Sequence, residues 1–478
     1  MILQCSQDRI LTSVQGSCRI DQAISLTKKN DADPMITQEQ KISVGILVGK
    51  RSVRGRFNGP FHLDDGRLVD GPFSAQAGNN RMSFVDSAGN EVIRSGKLRF
   101  VPAEQSTFTL SDVTIGIRFH WEQKQELTFQ GDLVLMAHAD GTMTAINEID
   151  LEDYLVSVIS SEMGATAPLE LLKAHAITSR SWLVSILKQG GKPTDEAVTP
   201  QRISPQAGEI SKWYGREEHA FFDVCADDHC QRYQGVTRII SRDARDAVQS
   251  TCGVYLVYGG NVCDARYHKA CGGLTENFEN VWEETPIPYL SSISDSALPS
   301  SPIQTGEDAI KWIRSSPEVY CNTTDVNLLQ QILPSFDQET TDFFRWKVVY
   351  ARKELEAILQ EKTGIDFGIL HGLTALERGP SGRIIRLMIE GSKECRIVGK
   401  ELEIRRWLSR SHLYSSAFIV SREVNPAGVP IRFVLEGAGW GHGVGLCQIG
   451  AAVMAARGFS AKDILRHYFR GAALQKCY

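Results

Sequence analysis

Between Lys41 and Asn147 the sequence never sustains the repeat of an amphipathic helix. It is written in short apolar runs separated by Gly and Asp-Gly: KISVGILVG, RLVDGPFSAQA, MSFVDSAGNEVI and KLRFVP, then Thr107–Ile117, Leu127–Leu135 and GTMTAINEI. Runs of this length between turn formers make hairpins and meanders. The pattern predicts a largely β region over 41–148, preceded by a polar, loosely ordered lead over 1–40. Without an aromatic stripe to offer a sugar, that region reads as a structural wall for the remainder of the chain.

The pattern changes at Leu151. The stretch LEDYLVSVISSEMGATAPLELLKAHAITSRSWLVSILK (151–188) reaches a lone Glu162, crosses Gly164 and Pro168, and enters an amphipathic helix. Pro168 suits a first turn, where its missing N–H is unneeded. From Leu169 onward Leu, Ala, Ile and Trp recur at helical spacing. Lys173 and Arg180 lie seven residues apart, so they share one face about two turns apart. A carboxylate ahead of a helix with two cations on one stripe is either a site or an ordinary solvated face.

The chain has 478 residues, enough for two or three domains. Its formal net charge is −5 and it has no long basic run, which argues against nucleic acid as a partner. No apolar stretch is long enough for a transmembrane helix. The opening MILQCSQDRILTS lacks the charged and apolar regions of a signal peptide. Eleven cysteines are an odd number, so at least one thiol has no intrachain disulfide partner, and the pattern is not that of a small disulfide scaffold.

His219, Cys225 and Cys230 form H-x5-C-x4-C, with His229 beside Cys230. Imidazole plus thiolate is zinc chemistry by donor type, although the spacing is not one of the common finger spacings. A Cys225–Cys230 disulfide or free thiols are the alternatives. Cys263, His268 and Cys271 form a second group, C-x4-H-x2-C, which either stands apart or completes the first. A water or a member of that second group is then the fourth ligand.

Residues 189–222 read as an extended loop or insertion, and 300–345 as mixed helix and loop. Lys353–Lys362 reads as a helix, Leu373–Gly382 as a strand with a tight turn, Arg383–Ile389 as its return, and Gly399–Ser409 as a helix. Gly272-Gly273 and Thr275 form a turn that admits close backbone approach. The alternating glycines of Trp440–Gly445 exclude a helix interior. They fit a loop that brings Trp440 to stack on a sugar and His442 to donate to its hydroxyls. This is not a dinucleotide fingerprint, because G-x-G-x-x-G spacing after a strand is missing. Gln448 opens a further helix, and Asp463–Phe469 is the last.

Three stretches taken together, 151–188, ARYHKACGGLTEN (Ala265–Asn277) and Gly437–Leu474, resemble the SpoIID/LytB family of peptidoglycan-acting proteins. The family's acidic LEDYL…SEM lead-in, LKAxAxxxR helix, GGxT turn, GWGHGVGxxQxGA loop and closing IL-x-x-YF helix occur in that order, between about Asn147 and Leu474. The resemblance implies an α+β fold, in which a β-rich N-terminal region is followed by a mixed α/β SpoIID-like catalytic domain over 149–478. It implies a lytic transglycosylase that cleaves MurNAc–GlcNAc linkages in peptidoglycan glycan strands stripped of their peptides. Glu162 matches the family's catalytic glutamate. Glycosidic cleavage needs an acid to protonate the leaving oxygen.

Lys173 and Arg180 match positions that the resemblance marks as functional. Arg suits bidentate recognition of a lactyl carboxylate. Because a close cation lowers a carboxyl's pKa and so removes the proton that a general acid must hold, these two are expected to touch substrate rather than Glu162. Thr275 and Tyr289 join the substrate set with Trp440 and His442. Some family members carry zinc near His219, Cys225 and Cys230, and a structural ion is expected there. The resemblance also implies a cell-envelope or periplasmic location. It leaves open a second class, a non-catalytic peptidoglycan-binding enhancer of a cell-wall amidase. A hydrolase with water as nucleophile would need a second carboxylate, Glu276 or Glu279.

Overall fold

The computed structural model describes residues 36–117, 122–189, 209–211, 219–239, 241–334, 338, 340 and 342–478. Most of the polar lead and of the 189–222 insertion lies outside them. The first ten strands are β1 (Lys41–Lys50), β2 (Ser52–Leu63), β3 (Leu68–Gly78), β4 (Arg81–Val85), β5 (Glu91–Ser95), β6 (Lys97–Pro102), β7 (Thr107–Ile115), β8 (Gln123–Phe129), β9 (Asp132–Ala137) and β10 (Met143–Asp150). They pair antiparallel in the order β1-β10-β9-β6-β2-β3-β4-β5, with β7 bridging β2 and β8.

Alternation decides which side is buried. On β2, Val53, Phe57, Phe61 and Leu63 point inward while their neighbours face out. Phe73, Phe84 and Phe100 meet them from β3, β4 and β6; Phe57 and Phe73 lie 4.6 Å apart by ring centroid, and Phe84 and Phe100 4.8 Å. Full burial of each such side chain stabilises by about 1.5–3 kcal/mol.

β10 leads directly into α1 (Leu151–Glu162), and α2 (Leu169–Gln189) follows. Next come β11 (Glu209–Ser211), β12 (Val224–Cys225), α3 (Asp243–Ser250), β13 (Val254–Tyr258), β14 (Asn261–Val262) and β15 (Tyr267–His268). β12 adds to the large sheet parallel to β1, with Val224 opposite Val44.

A second core lies further along. After α4 (Gly306–Arg314) and α5 (Val326–Ile332), which lie outside it, this core is built from β16 (Arg345–Ala351), α6 (Arg352–Thr363), β17 (Leu370–Arg378), β18 (Ile384–Gly391), β19 (Cys395–Gly399), α7 (Glu401–Trp407), β20 (Phe418–Val424) and β21 (Pro430–Ala438). Two sheets, β16-β21-β20 and β11-β19-β18-β17, enclose Trp346, Leu355, Leu387, Trp407, Phe433 and Leu435 with α6 and α7. The chain closes with β22 (Leu446–Cys447), α8 (Gln448–Ala456), α9 (Ala461–Tyr468) and β23 (Ala473–Lys476), the last paired with β13.

One apolar core runs from the N-terminal sheet through α1 and α2 to α8 and α9. At its centre α2 departs from the amphipathic helix expected of it. From Leu171 to Ile186 every residue but Lys173 is buried. A helix covered on all sides needs small or satisfied polar side chains. Here Thr178 Oγ1 donates to the Ala174 carbonyl at 2.8 Å and Ser181 Oγ to that of Ile177 at 2.7 Å. These small positions let α1, α3, β13, α8 and α9 close around it.

The aromatic cluster generates the first prediction. Phe84→Ala removes a fully buried ring and should lower stability by about 3–5 kcal/mol, read as a shift of the urea midpoint without a change in slope.

Candidate functional site at the end of the first helix

Glu162 is the last residue of α1, and only 7% of its surface is exposed. Its Oε1 accepts the Arg232 N–H at 3.2 Å and the Tyr267 hydroxyl at 3.1 Å. Its Oε2 accepts no hydrogen bond from the described residues. Burial, and then the Glu162 charge, raise the Tyr267 pKa well above the phenol range, so Tyr267 is held as a donor.

His175 of α2 packs against the Tyr267 ring at 4.5 Å between centroids. Its Nε2 accepts the Gln448 amide at 3.0 Å, which leaves Nδ1 to donate to Ser179 Oγ at 3.3 Å. Burial lowers its pKa to about 4, against the pull of Glu162. Glu162, Tyr267, His175 and Gln448 therefore form a row across α1, β15, α2 and α8, hydrogen-bonded at its two ends and joined in the middle by the packed Tyr267 and His175 rings. Sequence reading passed over Tyr267 and His175, because a single aromatic or histidine in an apolar stretch looks like core. Their only signal was membership of the ARYHKACGG and LKAHAITSR motifs.

The Cys/His group lies beside this row. His219, Cys225, His229 and Cys230 bring their ligand atoms within 4.8 Å of one another. Cys225, Cys230 and His219 meet as expected, and His229 brings a fourth candidate donor to them, where a water or a member of the second group was expected. Extended chain would turn neighbours His229 and Cys230 apart; the turn at 227–230, where Cys230 N–H donates to the Asp227 carbonyl at 3.0 Å, brings both to one side. Cys230, His219 and His229 draw the Cys225 thiol well below the ordinary thiol range, against the effect of burial. The donor set and spacing suit a four-coordinate zinc. Two residues beyond Cys230, Arg232 presents its N–H to Glu162.

The other expected residues sit elsewhere. Arg180 is wholly buried and pairs bidentately with Glu152, at 2.9 Å to Oε1 and 2.6 Å to Oε2, and donates to the Val254 carbonyl at 3.1 Å. Glu152 does not cap α1; it also accepts Gly253 N–H at 3.2 Å and the Tyr478 hydroxyl at 2.8 Å. Lys173 pairs with Glu170 at 2.7 Å on the partly exposed side of α2. Thr275 is buried, with Oγ1 accepting Ile293 N–H at 2.8 Å. Tyr289 accepts Asp264 N–H at 2.9 Å.

Trp440 packs between Phe343 and Tyr414. His442 meets Trp282 at 4.7 Å and His268 at 5.6 Å. Burial, and then the nearby His268 and Arg266 charges, hold its pKa well below the usual value. No hydrogen bond, ion pair or ring contact links Glu162 to any of these six among the described residues. Glu276 is enclosed by Ser381, Asn280 and the Asn277 N–H.

The motif loops are nevertheless neighbours. β15 pairs parallel with β22, and Ala270 bridges Trp440. Gly439 (φ 74°) lies where a Cβ would come within 2.7 Å of the Ala270 carbonyl oxygen, so only glycine allows that approach. Arg383, fully buried, donates to the Cys271 carbonyl at 3.2 Å and the Gly441 carbonyl at 3.0 Å, tying the two loops.

Residues 139–258 match the family model of the stage II sporulation protein, SpoIID. Residues 276–445 match a domain of unknown function (DUF8618). Residues 139–258 thus carry a SpoIID domain. The chain is 25% identical over 338 residues to stage II sporulation protein D of Bacillus subtilis, covering 70% of this chain and 76% of that protein. An uncharacterized protein of Brachyspira hyodysenteriae is 25% identical over 410 residues, 84% of this chain and 87% of its own. The amidase enhancer of Bacillus subtilis is 26% identical over 332 residues, 67% of this chain and 40% of that protein.

Two measurements test this geometry. Arg180→Leu leaves Glu152 charged and largely buried, and should destabilise by about 3–5 kcal/mol, whereas Lys173→Ala should cost about 1 kcal/mol or less, both by urea unfolding. His175 binds a proton with a pKa of about 4 when folded, against about 6.5 for a free imidazole. Between those values the unfolded chain binds more protons, so its contribution is complete above pH 6.5 and is lost as pH falls toward 4. His175→Gln should remove that dependence: relative to the variant, the wild type should lose up to about 3 kcal/mol across the window.

Proposed function

We propose that this protein cleaves peptidoglycan glycan strands between MurNAc and GlcNAc as a lytic transglycosylase, in the cell envelope, with Glu162 as acid and then base. The SpoIID domain, and the likeness to stage II sporulation protein D and to the amidase enhancer, support a role at the cell wall. The observation that carries the finer reading is the state of Glu162. One carboxyl oxygen is fixed by Arg232 N–H and Tyr267 OH, and the other has no hydrogen-bond partner among the described residues.

In this reading the Oε2 proton passes to the glycosidic oxygen as the C1–O bond breaks. The resulting carboxylate takes the proton of the muramic 6-hydroxyl, whose oxygen bonds to C1 and closes the anhydro ring. Proton and electron pairs balance without water, so one carboxyl group suffices. Glu276, walled in by its own donors, is poorly placed to activate water, which favours this route over hydrolysis. Tyr267 and Arg232 hold Glu162 in position. We assign Arg180 and Thr275 to the scaffold rather than to substrate.

His219, Cys225, His229 and Cys230 would hold zinc as a closed, structural site. When bound, the ion supplies crosslinking rather than a reacting centre. It would fix the 219–232 segment and hence the Arg232 N–H on Glu162.

The relative named amidase enhancer favours a second reading, a strand-binding protein that stimulates an amidase. Purified protein and Glu162→Gln are incubated with peptide-free glycan strands and with intact peptidoglycan, and product masses are read. Anhydro-muramyl ends from the wild type, reduced by about 10²–10⁴-fold in the variant, are the expected result. Reducing ends would replace transglycosylation by hydrolysis. Absence of product from either protein would favour the enhancer.

A further inference from the structure

A second group of ligating side chains lies in the interior, behind the motif loops. Cys271 follows β15, Cys447 caps the N-terminus of α8, and Asp295 and Cys321 come from the chain between β15 and α5. All four are at most 2% exposed. Their ligand atoms all lie within 4.8 Å of one another, and the Cys271 and Cys321 sulfurs are 3.5 Å apart. They share no residue with the His219 group.

We propose that Cys271, Asp295, Cys321 and Cys447 form a second, buried metal site that takes a divalent thiophilic cation, zinc. Four donors around a tetrahedral zinc with Zn–S bonds of about 2.3 Å set sulfurs about 3.8 Å apart. The 3.5 Å between Cys271 and Cys321 is close to that value. A cubane iron–sulfur cluster sits between its ligands and needs a wider cage. A Cys271–Cys321 disulfide needs about 2.05 Å between sulfurs. It would also leave Cys447 and the carboxylate of Asp295 buried without a common partner.

The surroundings suit thiolates. Cys447 Sγ accepts the N–H groups of Cys271 at 3.3 Å and Gly450 at 3.4 Å, and Cys271 Sγ accepts that of Gly273 at 3.3 Å. Such donors favour the anionic sulfur that binds metal. Asp295 is oriented by Cys321 N–H at 2.8 Å and the Tyr468 hydroxyl at 2.5 Å, as ligating carboxylates are. Three thiolates, one carboxylate and a divalent ion leave a net charge of −2. Arg345 lies within electrostatic reach of Cys271 and Cys321. Its guanidinium donates only to carbonyls, those of Gly272, Phe344, Trp312 and Ser315, so its charge has no carboxylate partner among the described residues and offsets the site.

The test is metal content by mass spectrometry of the full chain, purified with reductant and zinc. Two equivalents are expected in the wild type, one in Cys225→Ser/Cys230→Ser, and none when Cys321→Ser is added. One equivalent in the wild type that survives Cys225→Ser/Cys230→Ser would uphold this site while removing zinc from the outer group. If Cys321→Ser does not fold, Cys225→Ser/Cys230→Ser decides alone. Cobalt exchanged into it should give thiolate-to-cobalt charge transfer together with tetrahedral d–d bands. A spectrum of free aqueous cobalt, a zinc-free Cys225→Ser/Cys230→Ser protein, or an intact mass two hydrogens short with Cys271 joined to Cys321 would overturn the proposal.

Discussion

Arg180 has no contact with water, and the carboxylate of Glu152 neutralises it through two parallel hydrogen bonds. A buried guanidinium without that partner would be strongly unfavourable, so the pair fixes which surfaces may meet. Glu152 stands in the first turn of α1, Arg180 in the middle of α2, Val254 on β13 and Tyr478 at the last residue. One ion pair therefore sets the crossing of α1 and α2, anchors the β13–β23 ladder and brings the end of the chain back to its organising helix. The direction of α1 then determines where its other end, Glu162, emerges.

The depth of α2 comes from the same arrangement. With Arg180 satisfied internally, the helix has no need of a solvated face, and its small Ser, Thr and Ala positions allow neighbours to pack on all sides. The row from Glu162 through Tyr267 and His175 to Gln448 crosses that interior with its hydrogen-bonding groups matched at both ends.

Much of this was legible in the sequence where the cause is local. The β-rich opening, the helix after Pro168, α6, the β17–β18 hairpin with its turn at 379–382, α7 and α9 all stem from period and turn chemistry. The paired strands β20 and β21 were not read, since their partner β16 lies far away in sequence. The stripe shared by Lys173 and Arg180 is real, but period alone cannot say that one end of a stripe is covered. The ligand group was legible for His219, Cys225 and Cys230 because donor type is written in the residues. His229 depends on a turn, and the grouping of Cys271 with Asp295, Cys321 and Cys447 depends on long-range folding. Thr275 and Tyr289 sit in recognisable motifs whose backbone neighbours, Ile293 and Asp264, no spacing rule identifies.

The strand β12 carries a consequence for how such a chain can change over time. Just before it, Asp223 accepts from Ser43 N–H at 2.9 Å and Ser43 Oγ at 2.6 Å. Just after the turn, Arg232 is bound to Glu162. The stretch between is pinned at both ends, to the first strand of the sheet and to the last residue of α1. Because side chains alternate along a strand, gaining or losing one residue there would turn Cys225 to the opposite face. Substitutions can accumulate around this segment, but its length is not free to drift, and an insertion on one side would require a compensating deletion before the next anchor.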